Sequence, residues 1–374
     1  MLSKPGINYG NYFDLRSTRT STSVPAISST TFATMYAHGF KTVRIPVTWG
    51  YRYNSSTKTL NATFMSTIKT TVTNALNAGL IVILDTHHEE WFEYNWAGKS
   101  STTNASSTFP TTKLALSTSA SETSNAGTYL GLYSTSTASY ADTAYNIYMD
   151  IFKDIVVTFK EYSSNLIIEG LNEPDNGTST SSTDNAYFSN TEVNTLNQAL
   201  FSIVSANQST NSSNTRTFML SCNDEDNQSS LSALTLPTYS GLSTSTIKQR
   251  LMATCHYYYP TGFTLSGSPS TWSGATSGTT DSSDLDTRIG YMKTAATSLG
   301  IPVIMGEFGI SWDKGQSSTS VTNWYTQVAA RAKAAGVPAV AWDDGGGFKI
   351  MSHSSNTFST SGTAYNILTA IGGN

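Results

Sequence analysis

The sequence predicts one α/β domain, a single closed (β/α)8 barrel of the TIM type, and three observations support this prediction. Eight short apolar segments alternate along the chain with segments of helical spacing, which predicts parallel strands joined by right-handed crossovers. The 374 residues contain no segment with the composition of an interdomain linker. Eight such units in a chain of this length fit a closed barrel better than an open sheet.

Each predicted strand is a short apolar run bounded by turn residues, as expected for a strand that is buried on both faces. In chain order the predicted strands are residues 6–9, 40–47, 80–86, 166–174, 216–221, 251–257, 301–307 and 338–342. The fourth strand is expected to stop at Pro174, because proline cannot continue a hydrogen-bonded ladder.

The predicted helices carry apolar residues three and four positions apart, and several are followed by a glycine that favours helix termination. They span residues 28–38, 62–78, 140–162, 191–208, 284–299, 320–335 and 364–371. Segment 89–139, between the third strand and the third helix, is predicted as a long loop rich in Ser and Thr. Loops of this length are usually functional or disordered.

The composition excludes some classes of function. Charged residues make up 12% of the chain, which is about half of the usual share of roughly 25%. The net charge of −4 and the pI near 5.7 argue against a nucleic-acid or anionic-membrane partner. No apolar run reaches the length of about 18 residues that a membrane span needs. Aromatic residues are abundant, at 11%, and aromatic faces suit sugar binding.

The first residues, Met1 to Pro5, contain no apolar signal core, so the chain is either an intracellular protein or a mature secreted one. The low charge and the hydroxyl-rich surface favour secretion, and we expect a monomer that needs no cofactor. Cys222 and Cys255 each lie near the end of a predicted strand. Both a disulfide bridge and two buried free thiols are compatible with these positions.

Two glutamates, Glu173 and Glu307, lie at the ends of the fourth and seventh predicted strands. A carboxylate at the end of a buried strand is costly without a partner or a task. In a parallel barrel the carboxyl ends of all strands meet on one face, and active sites lie there. Paired carboxyl groups suit glycoside cleavage, in which one protonates the leaving oxygen and the other attacks the anomeric carbon.

Further polar and aromatic side chains are expected on the same face of the barrel. Arg44 could hold one of the two acids ionised, and His256 or Tyr258 could hydrogen-bond to it. The complete set at the predicted strand ends is Asn8, Arg44, His87, His88, Asn172, Glu173, His256, Tyr258, Glu307 and Trp342.

Seven short motifs lie at the ends of successive predicted strands. They are GINYGN at 6–11, VRIPVTW at 43–49, DTHH at 85–88, EGLNEP at 169–174, HYY at 256–258, GEFG at 306–309 and AWD at 341–343. With this ordered set the chain resembles glycoside hydrolase family 5 over nearly its whole length, and within it the subfamily 4 endoglucanases and xyloglucanases. Tyr9 and Tyr12 depart from the family pattern, in which Leu and Thr are expected.

The resemblance implies a retaining endo-β-1,4-glucanase in which Glu173 is the general acid/base and Glu307 is the nucleophile. It also implies that Arg44 and Tyr258 orient and ionise Glu307. The implied partner is a β-glucan polysaccharide. A preference for xyloglucan or mixed-linkage β-glucan is the alternative within the family, and a non-catalytic carbohydrate-binding barrel is the alternative outside it.

The resemblance assigns roles to five further residues. Asn172 would bind the 2-hydroxyl of the sugar at the cleaved bond, and His256 would tune Glu173. His87 and His88 would line the glycone side, and Trp342 would form the floor of the −1 subsite.

Other residues near the strand ends allow more than one interpretation. Four tryptophans would either stack on distal sugars or pack the fold: Trp49, Trp91, Trp96 and Trp312. The acids Asp224, Glu225 and Asp226 fit a solvated turn better than a substrate contact. Residues 87–90 lack the i, i+4 histidine spacing of an HExxH zinc site, so we expect no catalytic metal.

Overall fold

The computed structural model describes residues 5–15, 23–54, 57–89, 92, 140–174, 188–225 and 227–373, with side chains of the helix that starts at Tyr140 described from Tyr145 onwards. Within these ranges eight parallel strands close into a barrel, in which each strand pairs with its neighbours in the chain and the eighth pairs with the first. The prediction of a (β/α)8 barrel is therefore confirmed. The strands are β1 (Gly6–Asn8), β2 (Thr42–Val47), β3 (Ile81–Thr86), β4 (Leu166–Glu169), β5 (Thr217–Leu220), β6 (Leu251–Tyr257), β7 (Val303–Phe308) and β8 (Ala339–Ala341).

The inside of the barrel changes from apolar to polar along the strands. Because residues two apart in a strand point to the same side, Ile81 and Ile83 of β3 share the interior, and Asp85 follows them towards the carboxyl end. The apolar layer consists of Ile81, Ile83, Ile167, Met219, Met252, Ile304 and Val340. One end of the barrel is thus filled with hydrocarbon, and the polar side chains are left for the carboxyl end.

Helices surround the barrel, and most begin at a Ser, Thr or Asn whose side chain caps the first turn. Two glycines predicted to stop helices, Gly300 and Gly336, are left-handed C-caps with φ of 66° and 74°. None of the described helices is long and apolar enough to cross a membrane. The described α-helices are Ser29–Ala37, Ala62–Asn77, Tyr140–Phe159, Asn190–Ala206, Thr244–Lys248, Thr261–Ser266, Thr280–Leu299, Ser318–Ala335 and Gly362–Ala370.

Several short elements escape the sequence prediction. Between β5 and β6, where no helix is predicted, the chain forms a 3-10 helix at Gln228–Ala233 and the short helix Thr244–Lys248. Elements of so few residues show no readable hydrophobic period. The same holds for two small antiparallel pairs, Tyr53–Asn54 with Thr59–Leu60 and Met351–Ser352 with Thr357–Phe358.

The fourth strand is shorter than predicted. β4 ends at Glu169 rather than at Pro174, and Glu173 lies in an irregular segment with a left-handed backbone (φ 41°). Such a φ is uncommon for a residue other than glycine, asparagine or aspartate. The apolar Leu171 in this segment made the strand look longer in the sequence. The turn leaves 40% of the Glu173 side chain exposed.

Most of the predicted loop 89–139, including Trp91 and Trp96, lies outside the described residues. Its first residue, Glu89, is fully buried. The Glu89 carboxylate accepts hydrogen bonds from the backbone N–H groups of Trp49 and Gly50, at 2.5 and 3.1 Å. Glu89 therefore anchors the chain directly after β3.

The two cysteines are free thiols. Cys222 follows β5 and Cys255 lies in β6, and neither side chain is exposed. Burial raises the pKa of the Cys222 thiol well above its ordinary value, which keeps it in the unreactive protonated form. Of the two alternatives left open by the sequence, the pair of buried thiols is confirmed.

Arg216, directly before β5, links the end of the helix Tyr140–Phe159 to the start of β4. Its guanidinium donates hydrogen bonds to four backbone carbonyls, those of Phe159, Tyr162, Ser163 and Leu166. Burial lowers the pKa of Arg216 to about 10, so the side chain is still charged at neutral pH. Without this side chain those carbonyls would lose a charged donor in a buried place.

We predict that Arg216→Met lowers the free energy of unfolding by about 2–3 kcal/mol, because it removes several charge-assisted hydrogen bonds at once. The matched control is Arg331→Met, which breaks a partly exposed ion pair with Asp286 and should cost under about 1 kcal/mol. Chemical denaturation of the two variants measures both values. Equal losses in the two variants would contradict the role given to Arg216.

Candidate active site

The guanidinium of Arg44 lies at the centre of the polar end of the barrel. Arg44 is fully buried in β2. Its nitrogens contact acids on three other strands: Glu307 Oε1 at 2.5 Å, Glu169 Oε2 and Oε1 at 2.7 and 2.9 Å, and Asp85 Oδ2 at 2.9 Å. Burial alone lowers the pKa of Arg44, but the three negative charges outweigh it and raise the pKa above its ordinary value.

Two asparagines complete the shell around Arg44. Asn8 Oδ1 accepts a hydrogen bond from Arg44 Nη1 at 3.1 Å, and Asn172 Oδ1 accepts one from Nη2 at 2.8 Å. The amide of Asn8 donates to the carbonyl of Gly306 at 3.0 Å, and this residue is fully buried. Asn8 therefore supports the site from inside the barrel, whereas Asn172 lies in the same segment as Glu173.

Glu307 is held by a donor on each carboxylate oxygen. Arg44 binds Oε1, and the hydroxyl of Tyr258 donates to Oε2 at 2.7 Å. The register between β6 and β7 shifts at this point, so that His256 pairs with Glu307 and Gly306 is bypassed. Such a bulge re-aims the side chains of a strand. It brings Glu307 and Tyr258 together at the strand ends.

Glu173 has a different environment from Glu307. Its Oε1 lies 2.5 Å from Nδ1 of His256, a fully buried residue in β6. Burial by itself raises the pKa of Glu173, but the charge of His256 and its hydrogen bond outweigh burial and lower the pKa to about 2. Burial lowers the pKa of His256, yet the carboxylates of Glu307, Glu225 and Glu173 outweigh this effect and raise it. The Glu173–His256 pair therefore holds a shared proton with high affinity.

The two candidate catalytic acids lie close together. A carboxylate oxygen of Glu173, one of Glu307 and a ring nitrogen of His256 all lie within 4.8 Å of one another. This upper limit on the approach of the two oxygens is compatible with the carboxyl separation of about 5–5.5 Å that accompanies retention, and it is below the roughly 6.5–9.5 Å that leaves room for an inverting water. One sugar carbon can therefore be reached from both acids.

His87, His88 and Trp342 form one wall of the cleft. The rings of His87 and Trp342 stack with centroids 5.7 Å apart, and those of His87 and His88 meet edge-on at 4.4 Å. Burial and the neighbouring His88 lower the pKa of His87 to about 3, so its imidazole is neutral at working pH. Gly10 makes room for Trp342, since a Cβ at Gly10 would lie 2.6 Å from the indole.

Asp85 supports this wall from below. Its Oδ2 lies 2.6 Å from His87 Nδ1 and also contacts Arg44. Burial raises the pKa of Asp85 to about 7, although Arg44 opposes the shift. Asp14, His87 and His88 each bring one potential ligand atom within 4.8 Å of the others.

The predicted tryptophan platforms are only partly supported. Trp49 is fully buried, and its ring packs edge-on against Phe64, so of the two alternatives left open by the sequence it packs the fold and does not stack on sugar. Trp312 is half-buried, so part of its ring is exposed. Its Nε1 donates a hydrogen bond to the carbonyl of Lys349 at 3.0 Å. Trp91 and Trp96 lie outside the described residues and stay predictions.

The sequence prediction missed three buried acids: Asp85, Glu169 and Glu225. Asp85 and Glu169 lie within the motifs, but two and three residues before the expected site residues His87 and Asn172, and each is completely buried. The prediction of a solvated turn at 224–226 is wrong for Glu225, whose Oε2 lies 3.0 Å from Nε2 of His256 with both side chains 0% exposed. Asp224 is half-buried, and Asp226 lies outside the described residues.

A parallel barrel with two carboxylic acids this close at its carboxyl end has the architecture of a retaining glycoside hydrolase. The comparison with protein families agrees with this class. Residues 7–346 match the model described as Cellulase (glycosyl hydrolase family 5), and the chain belongs to that family.

Individual relatives support the same assignment. The chain is 27% identical to Endoglucanase A of Clostridium longisporum, over 91% of this chain and 57% of that protein. It is 26% identical to Endoglucanase A of Paenibacillus barcinonensis, over 98% of this chain and 86% of that protein. The fold matches that of a Bacteroides ovatus GH5 xyloglucanase in complex with a XXXG heptasaccharide, with a TM-score of 0.73 and 19% identity, over 99% of this chain and 75% of that one.

We predict that Tyr258→Phe lowers kcat/KM by about 10- to 100-fold, because a hydrogen bond to a charged group is worth about 1.5–3 kcal/mol. The hydroxyl of Tyr258 is the donor to Glu307 Oε2, so its loss weakens the hold on Glu307, the candidate nucleophile. Tyr291→Phe is the control, since Tyr291 is exposed on the helix Thr280–Leu299. Steady-state kinetics on one soluble glucan measures both, and equal rates in the two variants would contradict this role of Tyr258.

Proposed function

We propose that this chain is a retaining endo-β-1,4-glucanase in which Glu307 is the nucleophile and Glu173 is the general acid/base. The observation that carries the proposal is the distance of at most 4.8 Å between their carboxylate oxygens at the carboxyl end of the barrel. The environments of the two acids support this division of roles. Glu307 is fixed by two donors, whereas Glu173 shares a proton and is partly exposed.

In the first step a carboxylate oxygen of Glu307 attacks the anomeric carbon, and the bond from that carbon to the leaving oxygen breaks. The leaving oxygen takes up a proton from Glu173 as this bond breaks, so the departing chain leaves as a neutral alcohol. Arg44 and Tyr258 hold Glu307 in one orientation, which reduces the entropy cost of the attack. The product of this step is a glycosyl ester on Glu307.

In the second step water attacks the anomeric carbon from the side that the leaving chain vacated. Glu173, now without its proton, accepts a proton from this water, and the ester bond to Glu307 breaks. Two displacements at one carbon restore the original β configuration. The enzyme returns to its starting state with the proton again shared by Glu173 and His256.

The low pKa of Glu173 is compatible with its role as an acid. The proton is not lost from the site in the free enzyme, because it lies in the 2.5 Å contact between Glu173 Oε1 and His256 Nδ1. As negative charge develops on the leaving oxygen, the proton can move from the imidazolium through the carboxyl group. His256, which supplies the proton, and Glu173, which passes it on, are therefore joined by a single short hydrogen bond.

The proposed substrate is a β-1,4-linked glucan. Its support is the family of the chain and the names of its relatives, which are endoglucanases. Asn172 uses Oδ1 to accept from Arg44, and we assign its amide nitrogen the role of donor to the 2-hydroxyl of the sugar. The indole of Trp342 supplies a flat apolar floor under a pyranose ring, with His87 and His88 beside it on the glycone side.

Xyloglucan is the second candidate substrate. A curated relative, 24% identical over 82% of this chain, is a xyloglucan-specific endo-beta-1,4-glucanase of Bacteroides ovatus. Both candidates share the same backbone and the same cleavage step. A mixed-linkage β-glucan belongs to the same group. The alternative of a non-catalytic binding barrel has less support, because both acids are present and face each other.

We also propose that the protein is secreted and acts as a monomer. A polymer of this kind is degraded where it occurs, outside the cell. Charged residues make up only 12% of the chain, and Ser, Thr and Asn take their place on the surface, which is compatible with an extracellular enzyme.

Substrates with different leaving groups can distinguish the proposed acid/base from the proposed nucleophile. We predict that Glu173→Ala cleaves polymeric glucan at least about 100-fold more slowly, since general acid catalysis is worth about 10²–10⁴-fold. The first step should stay fast with a dinitrophenyl cellobioside, whose leaving oxygen needs no proton. Glu307→Ala should lose both activities. Reducing-sugar release and dinitrophenolate release measure them, with the exposed Glu161→Gln as control.

Initial rates on carboxymethylcellulose, xyloglucan, lichenan and mannan, measured side by side, identify the preferred polymer. The proposal expects cleavage of at least one of the first three at a rate above that on mannan. No cleavage of any of the four would overturn the function. If Glu173→Ala lost its activity on the dinitrophenyl substrate and Glu307→Ala kept it, the two roles would be reversed.

A further inference from the structure

Glu225 is a buried acid that the catalytic steps above do not use. It lies on the loop after β5, and 1% of its surface is exposed. Its Oε2 is 3.0 Å from Nε2 of His256. Among the described residues, neither carboxylate oxygen of Glu225 has a well-aligned hydrogen-bond partner. A buried acid with so little compensation costs stability, which points to a role in function rather than in folding.

The backbone fixes Glu225 beside His256. The N–H of His256 donates to the carbonyl of Glu225 at 2.9 Å. The N–H of Asp224 donates to the carbonyl of Pro174 at 2.8 Å, which ties the same loop to the segment that carries Glu173. The side-chain amide of Gln228, on the 3-10 helix that follows, donates to the carbonyl of His256. The loop, the acid/base segment and β6 thus form one connected unit.

His256 has a carboxyl group on each ring nitrogen. Nδ1 lies 2.5 Å from Glu173 Oε1, and Nε2 lies 3.0 Å from Glu225 Oε2. The side chains of His256 and Glu225 are 0% exposed, whereas 40% of the Glu173 side chain is exposed. The three residues therefore form a row that runs from a sealed carboxyl group through an imidazole to the open cleft.

Charged and titratable groups from every adjoining strand face this row. They are Cys222 after β5, Glu169 in β4, Glu307 in β7, Arg44 in β2 and Asp85 in β3. The acids Asp85, Glu169, Glu173, Glu225 and Glu307 outnumber the two cations, Arg44 and His256. Burial raises the pKa of Glu225, and the charge of His256 opposes this effect. Full ionisation of so many buried acids is unfavourable, so the cluster retains protons.

We propose that Glu225 is a positioning residue for the reaction: through His256 it keeps a proton on Nδ1, directed at Glu173. This inference deepens the proposed function and rests on it. The ionised carboxylate of Glu225 stabilises the positive charge of the His256 imidazolium, because its Oε2 lies 3.0 Å from Nε2. The imidazolium then keeps a hydrogen on Nδ1, and this N–H points at Glu173.

The proton balance of the cycle is closed within this row. In the first step the shared proton passes from Nδ1 of His256 through the Glu173 carboxyl group to the leaving oxygen, and His256 becomes neutral with its remaining hydrogen on Nε2, beside Glu225. Glu173 is then an ionised base beside an unprotonated Nδ1. In the second step the proton from water restores the starting state. No proton has to enter from the sealed side of the barrel.

The test is the pH dependence of kcat/KM for Glu225→Gln with a soluble glucan. The glutamine keeps the shape but cannot become negative, so His256 holds its proton less tightly. We expect the alkaline limb to move to lower pH by about one unit, since a unit charge at this distance acts strongly in a buried site. Glu225→Asp, which keeps the carboxyl group, should restore part of the shift.

The matched control is Asp224→Asn, which removes an acid one residue away and should leave the alkaline limb in place. A uniform loss of activity in Glu225→Gln, with an unchanged pH profile, would show a merely structural role and overturn the proposal. An equal shift in the control would assign the effect to general charge instead, with the same consequence.

A measurement on the wild-type protein needs neither the variant nor activity. Nitrogen-15 NMR of the histidine rings reports the protonation of His256 directly. We expect both ring nitrogens of His256 to stay protonated above pH 7, well beyond the ordinary imidazole range. A neutral His256 at pH 6 would overturn the proposal. If no glucan is cleaved but this titration is as expected, the row of three residues stands and only the proposed function fails.

Discussion

The polar end of this barrel depends on one buried guanidinium. Arg44 reaches groups on β1, β3, β4 and β7 and in the segment after β4, and it uses all of its N–H donors on them. Its planar fork fixes directions as well as distances, which a lysine ammonium would not do. Without Arg44 three buried acids would face each other with no compensating charge. The position of Glu307, the proposed nucleophile, is therefore set by the whole barrel.

Above this centre the two proposed catalytic acids, Glu173 and Glu307, differ because their surroundings differ. Glu307 accepts a hydrogen bond on each carboxylate oxygen, from Arg44 and from Tyr258. Glu173 sits on a strained turn beside His256, where a proton is held in a short hydrogen bond and is open to the cleft. When the environments of two acids differ in this way, one fold can supply both a proton donor and a nucleophile at the same pH.

The sequence predicts the residues at the strand ends well, and the physical reason is simple. In a closed parallel barrel every strand delivers its last residues to the same face, so order along the chain is enough to bring Arg44, Glu173, His256 and Glu307 together. The sequence does not predict the left-handed turn at Glu173, because an apolar Leu171 imitates a continuing strand. The sequence also does not show which polar or aromatic side chains are buried. Trp49 follows a strand end but packs inward, and Glu225 lies in a polar run but is buried beside His256.

The most direct test of this account is to trap the covalent intermediate. A 2-fluoro cellobioside with an activated leaving group reacts in the first displacement but is slow in the second, so the glycosyl ester accumulates. Mass spectrometry of the digested protein is expected to show one sugar per chain, attached to the peptide that contains Glu307. A label on any other residue, or products of inverted configuration without an adduct, would contradict the assignment of Arg44-bound Glu307 as the nucleophile.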